Sequence, residues 1–129
     1  MRGFAAAYAA SLAARPVMCE LASVLASVLE RTVPVETVRA YKRQALASND
    51  RLAGIIHARL PELDPTAAGE LASATIVLIA GLWPFAHPGP TVVAAVEDPA
   101  LLAAHVDFPA RYGRMIELLT TSLRGPAAP

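Results

Sequence analysis

The chain is predicted to be an all-α helical bundle, on three observations. Leu71 to Ala86 carries no charge and is followed by prolines at 88 and 90, with Pro84 near its end, as expected of one long buried helix. The segments on either side repeat apolar residues at three- and four-residue steps, the spacing of a single helix face. No strand alternation and no fixed-period repeat competes with that pattern.

The first helix spans Arg2 to Ala14, where good helix formers surround a stripe of Phe4, Tyr8 and Leu12. Arg15 precedes Pro16, which disfavours α geometry at Arg15 and lets a second helix open on proline. That helix runs to Arg31, with Val17, Leu21, Val24 and Val28 as its seam and Met18, Leu25 and Leu29 widening it. Only Glu20 interrupts it before Glu30.

Thr32-Val33-Pro34 punctuates the chain, and Glu36 places a carboxylate where the next helix dipole favours it. This third helix reaches about Leu60 along a stripe of Val38, Tyr41, Ala45, Leu52, Ile56 and Leu60. Asn49 interrupts the stripe, as a satisfied amide or as a ligand contact. Asp64-Pro65 caps the fourth helix, which extends to about Phe85. Thr91 then starts a short helix through Val96, and a short apolar piece covers Ala100 to Ala104. Asp107 caps the last helix, Phe108 to Leu123, on a stripe of Phe108, Tyr112, Met115, Leu119 and Leu123.

The 129 residues suit one domain, 1–124, with 125–129 as a disordered tail. Hydrophobic content of 55% exceeds the usual share of about 45–50% and points to helix–helix contact surface. The charge-free run falls short of the roughly 20 residues that span a bilayer, so a core helix is preferred to a membrane anchor. Eleven basic and eleven acidic residues cancel, leaving no field to steer the chain to nucleic acid or to an anionic membrane. Cys19 stands alone in an apolar stripe and reads as a buried, inert thiol in a reducing cytoplasm.

Chemistry is sparse. His57, His87 and His105 have no partners at metal-ligand spacing, the serines sit outside any nucleophile elbow, and no glycine-rich phosphate loop occurs. Neither a metal, a cofactor nor catalysis is expected. Met18, Tyr41, Asn49 and Trp83 instead suit a pocket for a hydrophobic small molecule among the second, third and fourth helices, apolar with a few polar handles. The fourth and last helices carry more apolar surface than one stripe. A two-fold pairing through Thr75, Ile79, Tyr112, Met115, Ile116 and Leu119 would cover it, making the chain a homodimer.

Several stretches resemble a known family. Pro16-Val17-Met18-Cys19-Glu20-Leu21, Val28-Leu29-Glu30-Arg31, Val35-Glu36-Thr37-Val38 leading to Lys42, and Gly81-Leu82-Trp83-Pro84 followed by His87-Pro88 occur in order. Together they resemble the C-terminal regulatory domain of tetracycline-repressor-type (TetR-type) transcriptional regulators. The resemblance implies an all-α homodimer whose last long helices pair across a two-fold axis. It also implies an effector pocket in each protomer that alters the spacing of N-terminal DNA-reading heads. Such a helix-turn-helix head would precede the first helix. The expectation is therefore a cytoplasmic domain that senses a ligand and dimerises, reaching DNA only through a missing N-terminal domain.

Overall fold

Prolines and aspartates divide the chain into six α-helices and one 3-10 helix, and no strand occurs among the described residues. The computed structural model describes residues 2–124, with side chains except at positions 2 and 26–32. The helices are α1 Arg2–Ala13, α2 Pro16–Thr32, α3 Val35–Arg59, α4 Pro65–Ala86, α5 Pro90–Ala95 and α6 Phe108–Leu123, with the 3-10 helix at Pro99–Ala104. The expected tail at 125–129 and the side chains of Val28 and Leu29 lie outside the described residues.

Three aspartate caps fix the later boundaries. Asp64 accepts from the Ala67 amide at 2.8 Å and Asp107 from the Ala110 amide at 2.8 Å, each satisfying one of the donors a helix start leaves unpaired. Asp98 does the same for the 3-10 helix, accepting from Ala100 at 2.8 Å. Asp107→Ala is expected to lower stability by about 1 kcal/mol, read from the urea midpoint at unchanged slope.

α4 is the centre of the bundle and packs against α2, α3 and α6, while α1 lies on α6 and α2. Its inward face is Ala68, Leu71, Ala72, Thr75, Ile79 and Trp83, all buried. By length and composition Pro65–Ala86 could cross a membrane; in this fold the other helices cover one side of it. α1 meets α6 through small residues: the space where Gly113 would carry a Cβ lies 3.7 Å from both the Ala5 carbonyl and the Ala9 Cβ. Arg124 pairs with Glu62, tying the end of α6 to the turn between α3 and α4.

Two expected stripes are corrected. On α2 the seam Val17, Leu21 and Val24 faces outward, with Val17 72% exposed, while Cys19 is buried and Ala22 packs on the core. Small side chains let α2 approach α4 more closely than the branched seam would. On α3 only the C-terminal half of the stripe is buried. Ile56 and Leu60 enter the core and Leu52 packs against it, but Tyr41 and Ala45 are exposed. α5 and the 3-10 helix bury no residue of their own, leaving Val92, Val93, Leu101 and Leu102 exposed.

Candidate functional site

Trp83 anchors the site, near the C-terminal end of α4 with only 4% of its surface exposed. A buried indole N–H requires an acceptor. Trp83 Nε1 donates to Glu20 Oε2 at 2.9 Å, joining α4 to α2. One turn later, His87 stacks on the indole with ring centres 3.8 Å apart, and its Nδ1 donates to the Trp83 carbonyl at 3.1 Å. Phe108 of α6 meets Trp83 edge-on at 4.9 Å.

Aromatic contact continues inward from there. Phe108 stacks with Tyr112 at 5.3 Å, Tyr112 meets Tyr8 edge-on at 5.9 Å, and Tyr8 stacks with Phe4 at 5.9 Å. The Tyr112 hydroxyl donates to the Thr75 carbonyl at 3.4 Å. Burial, then the neighbouring Tyr8, pushes the Tyr112 phenol far above its ordinary range, so it stays protonated. Burial also pushes the Cys19 thiol up, and its Sγ lies 3.5 Å from the Leu12 carbonyl, the surroundings of an unreactive sulfhydryl.

Clefts surround the Trp83 anchor. One of about 400 Å³ is lined by Pro16, Val17, Glu20, Leu21, Trp83 and His87. It shares Trp83 and His87 with a smaller cleft of about 250 Å³ that reaches His105 and Phe108. That cleft in turn adjoins, through Ala86, His105 and Val106, an apolar hollow of about 610 Å³ beneath Phe85, Val92 and Val93. A separate groove of about 540 Å³ runs between α3 and α4, past Tyr41, Asn49, Leu52, Ser73 and Ile76. Within it Ser73 Oγ donates to Asn49 Oδ1 at 3.4 Å, which gives the half-buried amide its partner.

The four residues expected to share one pocket are therefore divided. Tyr41 and Asn49 line the α3–α4 groove, Trp83 lines the cleft against α2, and Met18 is 43% exposed on α2. Sequence reasoning missed Glu20 and His87. Glu20 carried a signal, as the lone carboxylate interrupting an apolar helix.

The expected seam between subunits is also corrected. Thr75, Ile79, Tyr112 and Ile116 are buried within the protomer, and Leu119 packs against the same core. Met115 is half-buried. Thr75, Ile79, Tyr112, Ile116 and Leu119 lie on the inward face because α4 and α6 pack against one another in a single chain. The outward face of α4 is instead Ser73, Ile76, Val77, Gly81, Pro84 and Phe85, and Leu118 is exposed on α6.

The family model described as tetracyclin repressor-like, C-terminal domain, matches residues 1–127. No curated protein matches the chain.

Proposed function

Since the chain belongs to the tetracyclin repressor-like C-terminal domain family, we propose that it is the ligand-sensing and dimerising part of a cytoplasmic TetR-type transcriptional regulator. The family match over residues 1–127 carries this reading, and the clefts around Trp83 supply a location for the effector. A hydrophobic small molecule there would contact α2 through Val17 and Leu21 and α4 through Trp83. Clefts between the helices of a bundle are a common place for such sites.

The geometry suggests how binding is felt elsewhere. α4 turns one face to the cleft and the opposite, exposed face to solvent, where a symmetry mate would pack. A ligand that fits one spacing of α2 and α4 better than another shifts the population toward it, by no more than its difference in affinity for the two. The shift passes through α4 to the paired subunit. DNA contact belongs to a helix-turn-helix head rather than to these residues, whose charges sum to zero.

The single tryptophan makes the reading testable. Screening apolar small molecules by Trp83 emission and thermal unfolding should find ligands that change both. A ligand at one hundred times its Kd should raise stability by about 2.7 kcal/mol. Sedimentation should show a dimer at micromolar concentration. A monomer whose emission no apolar ligand alters would remove the reading.

A further inference from the structure

The wall of the Trp83 cleft is unusual in what it has left to offer a ligand. Its donors are engaged: the indole N–H is held by Glu20 Oε2 at 2.9 Å, and His87 Nδ1 by the Trp83 carbonyl at 3.1 Å. What remains is acceptor capacity. Only one Glu20 oxygen is used by the indole, which leaves the other free to accept from a ligand. No Lys or Arg pairs with Glu20 among the described residues, and Arg15 turns its guanidinium back to the Ser11 carbonyl at 2.7 Å. The other walls are Pro16, Val17 and Leu21, apolar and largely exposed.

A carboxylate held in place beside apolar walls, with donors engaged and acceptors left over, is complementary to one class of molecule. We propose that the cleft between α2 and α4 binds an organic cation, a protonated amine on a compact apolar body. The ammonium would pair with Glu20 and the body would lie on Val17 and Leu21. This deepens the effector-binding reading and rests on it. An anion would face the Glu20 charge without a donor to compensate, and a neutral molecule would gain only the apolar contact. The cleft, about 400 Å³, lies within the usual range of ligand sites, roughly 300–1,000 Å³.

Three probes with the same cage isolate the charge: 1-adamantylammonium, 1-adamantanol and 1-adamantanecarboxylate, titrated at neutral pH against Trp83 emission. The ammonium should bind most tightly and the carboxylate least. Glu20→Gln keeps an oxygen that can accept from the indole N–H but removes the charge. Glu20 is exposed, so removing its charge should weaken the ammonium about two- to fivefold and leave the alcohol unchanged. The proposal is overturned if the alcohol or the carboxylate binds as tightly as the ammonium, or if Glu20→Gln leaves the ammonium affinity intact. It is equally overturned if none of the three alters Trp83 emission. In each of those cases the broader reading stands or falls separately, on the wider screen of apolar ligands and on the oligomeric state.

Discussion

Tyr112→Ala is expected to remove about 3–5 kcal/mol of stability, a large share of the roughly 5–15 kcal/mol that a domain possesses. Tyr112 is fully buried, and its ring bridges Phe108 and Tyr8 while its hydroxyl reaches back to α4. Truncation would open a cavity where α1, α4 and α6 converge, and the packing it removes on all three sides has no substitute nearby. Urea unfolding followed by far-UV circular dichroism measures the loss. Tyr112→Phe separates the ring from its hydroxyl and should cost only about 1 kcal/mol, the usual net value of one hydrogen bond. The phenol also imposes a pH dependence whose sign is fixed by the upward shift. A group more easily deprotonated when unfolded contributes stability that is fully present below its ordinary pKa of 10.0 and is lost as pH rises above it. Tyr112→Phe should flatten that alkaline loss. A Tyr112→Ala variant as stable as the parent would show that the aromatic contacts do not organise the core.

Helix boundaries were legible in the sequence because they are set by local chemistry. Pro16, Asp64-Pro65 and Asp107 act within one turn of themselves, and each stands at the start of the helix expected of it. The inward faces were harder to read. α2 carries two apolar stripes, and periodicity cannot choose between Val17-Leu21-Val24 and Cys19-Ala22 when both repeat at helical spacing. The protomer takes the smaller side chains, which favour close approach. α4 poses the same ambiguity more sharply: Thr75 and Ile79 read as available for a partner because nearly every position of the helix is apolar. The site was half legible. Trp83 announced a need for an acceptor and Glu20 stood out in an apolar helix, but they lie sixty-three residues apart, and no spacing rule joins residues across the fold. Asn49 and Ser73 illustrate the same limit between α3 and α4.

The outward face of α4 is where the proposed dimer should fail first. Val77 is 71% exposed in the protomer and stands between Ser73 and Gly81 at four-residue steps. Open space beside Gly81 and the small Ser73 side chain leave room for another helix to approach closely. A two-fold pairing repeats each contact, so Val77→Glu introduces two carboxylates into one seam. Each unpaired buried charge costs several kcal/mol, so the dimer Kd should rise by more than about a thousandfold. Sedimentation at micromolar concentration should then show monomer. The protomer itself should remain folded, with stability changed by about 0.5 kcal/mol or less, since the substituted side chain stands on its exposed face. Ile79→Lys, two residues further on, should behave in the opposite way. Ile79 is 1% exposed, so the lysine must be buried inside the protomer, and loss of helical signal should accompany any loss of dimer. The pair of variants separates the two faces of one helix. If Val77→Glu and Leu118→Glu both sediment as intact dimers, the subunits are not paired through the outward faces of α4 and α6.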